Sequence, residues 1–236
     1  MNLKRIYFFI FLVSLITVSI PSWSKSGSHS FGAGFISSNP SQDDIDSLIE
    51  RANTAAGGIS TKSMGGAYEF MVHYQYKFKG SMFALQLRPA YFYQSTKGTG
   101  GGSNYNYVLS GFTLFPMFKL TPLENKFIKF YMQIGVGYGH LNGTIDEGPN
   151  SISFEGANFG GMAGVGSEFC FVDEHCLTVE GNMRYLPFDR NIASSVTGTM
   201  ANLTRADKKR EVEIDDSDLK TTLSGFQGMI GYIYHF

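Results

Sequence analysis

The chain has 236 residues, enough for one domain or two small ones with a sizeable core. Its residues are 43% hydrophobic, 15% aromatic and only 17% charged, which excludes a disordered chain; a formal net charge of -1 excludes nucleic-acid binding by phosphate neutralisation, which needs a basic excess. The 28 glycines, 21 phenylalanines and 13 tyrosines disfavour helices and suit twisted, closely packed strands.

Lys4 and Arg5 precede an uncharged run from Ile6 to Ile20, too short to span a membrane as a helix and followed by the breaker Pro21. Ser22 and Ser24 place small residues where a signal peptidase reads. Residues 1–24 are therefore expected to be a cleaved signal peptide, the alternative being an uncleaved anchor, and 25–236 a single exported domain. No later stretch approaches about 18 consecutive apolar residues, so a helical membrane protein is excluded.

The exported part alternates with period two in eight segments. The first runs from about His29 to Ser37. A polar stretch to Met64 follows and carries a short amphipathic helix, with Ser41 as N-cap, Asp43 and Asp44 in the first turn, Ile45, Leu48, Ile49 and Ala52 on one face and Gly57 as the stop. Gly65 to Phe78 meets Ser81 to Ser95 across the two-residue turn Lys79-Gly80. A glycine-rich loop, Thr96 to Asn106, leads to Tyr107 to Thr121; Pro122 to Lys126 connects tightly to Phe127 to Leu141. After a loop from Asn142 to Ser153, Phe154 to Val172 turns through Asp173 and Glu174 into His175 to Leu186. The longest loop, Pro187 to Asp218, precedes the last strand, Leu219 to Phe236.

Eight strands in up-and-down order, with all four long connections at one end, describe an all-β antiparallel barrel, and its polarity decides its solvent. Tyr68, Phe70, Val72, Tyr74, Tyr76 and Phe78 share one face against Glu69, His73, Gln75 and Lys77; later strands repeat the pattern. Eight strands enclose little volume, so glycines and a compact polar network fit inside and the large aromatics point out. Outward aromatics need lipid. Strands of eleven or more residues exceed the 9–11 that a tilted strand needs to cross a bilayer, and closure satisfies every backbone group. The alternative is a soluble eight-stranded barrel or sandwich. Counting from the turns places Lys119, Lys129, Glu168 and Glu180 in a lower, charge-balanced lumen layer and Glu69, Arg88, Arg184 and Gln227 in a higher one. Buried charges of this kind are stable only when paired. The two cysteines, Cys170 and Cys176, flank one turn on the inner face of an exported chain and are expected to form a disulfide, with Phe171 pairing His175 around a three-residue turn.

On these features the sequence resembles the small outer-membrane barrels of Gram-negative bacteria, of the OmpA transmembrane domain, OmpX and OmpW type, over nearly the whole exported chain. The end is the most specific part: Ile230, Tyr232, Tyr234 and terminal Phe236 alternate outward, and Gly160-Gly161-Met162-Ala163-Gly164-Val165-Gly166 followed by Arg184-Tyr185-Leu186 is similar to the penultimate hairpin of that superfamily. The resemblance implies an outer-membrane location, with Tyr232, Tyr234 and Phe236 as the assembly signal. It also implies lipid, lipopolysaccharide, the barrel assembly machinery and periplasmic chaperones as partners, no nucleic acid, and a monomer.

The resemblance also sets the enzymatic alternatives. Lipid A deacylase barrels carry a His and a Ser on a late strand, where this chain has Asn182 and Arg184. Palmitoyltransferase barrels place His, Asp and Ser at the outer rim, for which only His140, Asp146 and Ser151 qualify. No cofactor is expected. The histidines His29, His73, His140, His175 and His235 are scattered, and the acidic run Glu211 to Asp218 has Lys208, Lys209 and Arg210 beside it, so no metal site is expected either. The expected function is non-enzymatic: a structural element and platform for surface loops in adhesion or envelope integrity. A narrow channel for ions or small apolar molecules is the first alternative and a lipid-modifying enzyme the second.

Overall fold

The computed structural model describes residues 27–55, 60–100, 102–200 and 202–236. The expected signal peptide and the helix stop at Gly57 lie outside the described residues. Eight long strands close a ring: β1 (Gly27–Ser38), β2 (Ala67–Phe78), β3 (Phe83–Gly100), β4 (Ser103–Glu124), β5 (Ile128–Glu147), β6 (Asn150–Val172), β7 (His175–Tyr185) and, last in the chain, β13 (Gly225–His235). Each pairs antiparallel with its neighbour, β5 with β6 and β1 with β13, so the ring has no open edge. Among the described residues no helix is long and apolar enough to cross a membrane.

The pleat sorts side chains as the alternation demands. Phe70, Tyr91, Ile134, Val136, Phe169, Met183 and Ile230 are exposed on the outer wall, while Glu69, Arg88, Gln133 and Glu180 are buried inside. Inward glycines supply room for the larger inward side chains. A Cβ on Gly166 would stand 2.5 Å from the Tyr131 ring, and one on Gly32 would stand 2.2 Å from His73.

One end of the ring carries the short turns at Lys79-Gly80, Asn125 to Phe127 and Asp173-Glu174, together with the terminus Phe236; we call it the turn end. The opposite, loop end is more ordered than the sequence suggests. Residues 96–100, 103–106, 142–147 and 150–153 form strand, not loop: β3 and β4 pair out to Gly100↔Ser103, and β5 and β6 out to Glu147↔Asn150. Glycine, Ser and Asn read as loop composition, but Tyr107, Leu109, Ile145, Ile152 and Phe154 keep the inward parity and are buried there. Among the described residues, two connections at this end are therefore non-hairpin.

The first of them holds helix α1 (Asp43–Ala55). Its first turn closes on Gln42, whose carbonyl accepts from the Asp46 N–H at 2.8 Å, so Gln42 and not Ser41 is the backbone cap; the Ser41 hydroxyl donates to the Asp43 carboxylate instead. The second, residues 186–224, contains short strands β8 (Pro187–Phe188), β9 (Asn191–Thr197), β10 (Glu213–Ile214), β11 (Ser217–Asp218) and β12 (Thr221–Thr222). β9 pairs with the upper part of β6, while the lower part of β6 pairs with β7. The last barrel strand begins at Gly225, not Leu219. At φ +141° Gly225 breaks the extended chain, and Leu219 and Leu223 are buried before it in the loop-end core.

Candidate functional site

The interior is the candidate site, and it has two storeys. In the turn-end storey Glu180 is the hub. Its carboxylate accepts from Arg88 at 2.7 Å, Tyr131 at 2.7 Å, Gln133 at 2.9 Å and Asn182 at 3.1 Å. One layer towards the loop end, Arg184 grips Glu69 with both terminal nitrogens, at 2.6 and 2.9 Å, and its Nε donates to the Leu223 carbonyl at 2.8 Å. One layer towards the turn end, Lys119 donates to Glu168 at 2.5 Å and to Gln75 at 3.1 Å, and sits 3.6 Å from the Tyr131 ring centroid. Lys129 stands 3.7 Å from the same Glu168, and His235 Nε2 lies 3.2 Å from it.

The structure thus brings all seven charged lumen residues into ion pairs; Lys119 and Lys129 with Glu168, and Arg184 with Glu69, stay within their expected layers, and one pair, Arg88 with Glu180, crosses them. Glu180 belongs with Arg88, and the lower cluster is Lys119, Lys129, Glu168 and His235. The long guanidinium of Arg88 reaches across from β3 to β7, and sequence height measures only where a Cα stands. Inward parity alone points to Tyr131, Gln133, Asn182 and His235, which had no assigned role. Both ring nitrogens of His73, both amide atoms of Gln86, Arg88 Nη2 and Gln133 Oε1 are buried without a protein partner, so this storey is polar beyond what its own side chains satisfy.

The loop-end storey is apolar. Ile45, Leu48 and Ile49 of α1 pack with Phe92, Phe115, Leu141, Ile152, Phe154, Leu186, Phe188, Val212, Ile214, Leu219 and Leu223 in one buried cluster. The helix lies over the mouth of the barrel and is fixed at both ends of its first turn and along its side. Gln42 donates to Gln94 at 2.9 Å and to the Thr222 carbonyl at 2.6 Å, and accepts from the Thr222 N–H at 3.1 Å. Asp44 accepts from the Lys220 N–H and Asp46 from the Met64 N–H, both at 2.7 Å. Burial raises the Asp46 pKa against the lowering effect of that Met64 bond. Arg51 and Asp215 form a bidentate pair on the surface, which raises the pKa of the arginine and lowers that of the aspartate.

The ladder lacks paired residues at two places, with the register unchanged across each. The β2–β3 register passes from Met71↔Ala90 to Tyr74↔Leu87, and the β4–β5 register from Leu114↔Tyr138 to Met117↔Gly135. Pro89 stands beside the first and Pro116 beside the second, and neither has an N–H to donate.

The other candidates separate. His140 and Asp146 are six residues apart on β5, about 20 Å at strand rise, so the Ser151 bond to Asp146 at 2.6 Å joins two groups without a base. In the acidic run Glu211 pairs with Arg190 and Glu213 with Arg205, so internal counter-ions hold these carboxylates. Cys170 and Cys176 face one another across β6 and β7 and are bonded. Their turn has two residues and a bulge: Val172, not Phe171, pairs with His175. Tyr232, Tyr234 and Phe236 point outward at the turn end, with Phe236 stacked near His29 and Phe31.

No protein-family model and no curated protein matches the chain. Among solved structures it is similar to the outer membrane protein OprG from Pseudomonas aeruginosa, with a TM-score of 0.57 and 14% identity over 90% of this chain and 97% of that one. It also aligns with Ail, the attachment invasion locus protein of Yersinia pestis, solved in complex with the heparin analogue sucrose octasulfate, with a TM-score of 0.43 and 14% identity over 89% of this chain and 99% of that one. The likeness to OprG shows the fold, an eight-stranded antiparallel barrel.

Proposed function

We propose that this protein is a non-enzymatic barrel of the outer membrane, a sealed structural element whose loop end is a platform for surface contacts. The observation that carries this reading is the filled interior: paired charges occupy the turn-end storey and α1 with the long loop closes the other. The exposed aromatic wall supports the lipid setting, and the short turns support a periplasmic turn end. In this reading the partners are lipid and lipopolysaccharide around a monomer, with the assembly machinery and chaperones acting on the C-terminal strand. The basic run Lys208, Lys209 and Arg210 at the loop end suits phosphate groups. Protease added to intact cells is expected to clip between Ala206 and Glu211 and to spare the three turns, and the refolded protein is expected to show no conductance steps in a planar bilayer. Cleavage at the turns reverses the topology; steady conductance removes the seal.

The missing ladder pairs beside Pro89 and Pro116, where no N–H is available to bridge the strands, favour a second reading, a narrow path for small apolar molecules between the interior and the surrounding lipid. Uptake of an apolar fluorophore into liposomes containing the protein, with no ion current, distinguishes it from the first.

A further inference from the structure

At the turn end, one juxtaposition is left over from the ion-pair network. One ligating atom from each of Glu168, Cys170, Cys176 and His235 lies within 4.8 Å of the other three. The residues come from three neighbouring strands, because β6 faces β7 at Cys170↔Cys176 and β7 faces β13 at Ile233↔Cys176. All four are inward; Glu168, Cys170 and Cys176 are buried and His235 is at the half-buried rim. We propose that the dithiol form of this protein binds one Zn2+ ion through the sulfurs of Cys170 and Cys176, Nε2 of His235 and Oε2 of Glu168.

The donor set is one that zinc takes in four-coordinate sites, two thiolates with an imidazole and a carboxylate. Two of the donors are already oriented. Ser30 bonds His235 Nδ1 at 2.7 Å and so presents Nε2 to the site, and Lys119 holds Glu168 Oε1 at 2.5 Å and leaves Oε2 facing the imidazole. Nε2 and Oε2 stand 3.2 Å apart. Bonds of about 2.1 Å from a tetrahedral zinc require about 3.4 Å, so this edge of the site is in place. The charges balance as well. Two thiolates cancel the charge of the ion, so Glu168 still answers Lys119 and the local sum is unchanged. Lys129, 3.2 Å from Nε2, has to leave that nitrogen, and Glu124 stands 3.9 Å from its ammonium as the alternative partner. A recess of about 100 Å³ bounded by Lys77, Glu124, Lys129, Glu168 and His235 reaches two of the four donors from the turn end.

In the oxidised protein the sulfurs are bonded to each other and donate to nothing else. A dithiol reductant supplies two electrons and two protons to that bond and closes its own disulfide. Zn2+ then takes the two sulfurs as thiolates, and their protons pass to water. The two states differ in reach. The disulfide joins β6 to β7 only, whereas the metal also holds β13, the strand that closes the ring against β1.

The test uses the full chain folded in detergent, reduced with a phosphine, and titrated with Co2+ as the optical stand-in for Zn2+. The expected result is equimolar binding with a thiolate-to-cobalt charge-transfer band and tetrahedral visible bands, bleached by Zn2+ and absent from the oxidised protein. His235→Ala is expected to weaken binding at least about tenfold, and the double variant Cys170→Ser with Cys176→Ser to abolish the charge-transfer band. Heat-modifiable mobility on gels verifies that each variant is folded. Glu168→Gln removes the counter-ion of Lys119, so the rim residue His235 carries the test. A reduced protein without the thiolate band overturns the site, and so does unchanged affinity in His235→Ala.

Discussion

The two storeys of the lumen are built on the same strands with the same inward parity, yet they cohere by opposite means. Between Glu168 and Arg184 the interior is ionic: each carboxylate has a cation, and Glu180 alone gathers four donors. Above Phe92 and Leu186 it is apolar, and its closure depends on a helix and a loop that the barrel wall does not supply. The ring explains the difference. Within it the interior is too narrow for a packed apolar core once the bulky side chains face out, so pairing replaces burial. Beyond it, the prolonged hairpins and α1 enclose an ordinary hydrophobic core. The ionic storey is therefore brittle to the loss of one charge, and the apolar storey to the loss of volume.

The sharpest test of brittleness is Glu180→Ala, which strands Arg88 inside the ring without its counter-ion and leaves Tyr131 only Thr178, and Gln133 and Asn182 only each other, as partners. Breaking a buried pair on one side costs about 3–5 kcal/mol. A matching fall in urea-unfolding stability is expected, with ion leakage through the refolded barrel. If stability is unchanged and no current appears, lumen water solvates the arginine and the storeys do not differ in this way. The apolar counterpart is Leu48→Ala in α1, where a Leu-to-Ala cavity costs about 2–5 kcal/mol locally. The loss is expected to surface as faster hydrogen exchange and proteolysis of residues 43–55, with the unfolding midpoint of the ring unmoved. A ring that loosens equally shows one cooperative unit where we describe two.

How far the two storeys were legible in sequence follows the same division. The ring was legible because period two at Tyr68 to Phe78 and its repeats assigns each side chain a face, and the short turns set strand direction. The seven lumen charges were legible as a set, since inward parity and low volume leave them nowhere else. Their partners were not: parity gives the face and an approximate height, and the span of an Arg or Lys side chain exceeds one layer, as Arg88 to Glu180 shows. The apolar storey was the least legible. The amphipathic face of α1 was visible, but which core it covers depends on Leu186, Phe188, Val212, Leu219 and Leu223, spread through a segment whose composition reads as loop. His235 was missed because its one signal is parity at the very end of the last strand.

The disulfide sits below both storeys and is expected to matter less than either. Its loop of a few residues removes little chain entropy, about 2 kcal/mol in the loop-closure account. Replacing both cysteines by Ser is expected to lower stability by that amount while leaving the Glu180 and Leu48 effects intact. Two titratable thiols in the denatured, unreduced protein contradict the bond itself.

The smallest effect expected is at the clasp between α1 and the long loop, and it isolates how the apolar storey is held shut. Arg51 and Asp215 are exposed, so salt screens their attraction, and Asp215→Asn is expected to leave the unfolding midpoint where it is. Its signature is dependence on pH. Asp215 has a folded pKa below the ordinary 3.8 because Arg51 stabilises its charge. Its contribution is therefore complete above the unfolded value and disappears as pH falls through the folded one. Asp46 runs the other way. Burial raises its folded pKa above 3.8, so its favourable contribution is complete below the unfolded value and is lost as pH rises through the folded one. Acidification from neutral pH should first tighten α1 through Asp46 and then loosen it as Asp215 takes its proton. Exchange rates of the α1 amides, corrected for intrinsic pH dependence, should pass through a minimum in the wild type. In Asp215→Asn the later rise should vanish, and in Asp46→Asn the earlier fall. An Asp215→Asn variant whose later rise persists shows that the helix is held by its buried face alone and that the clasp is idle.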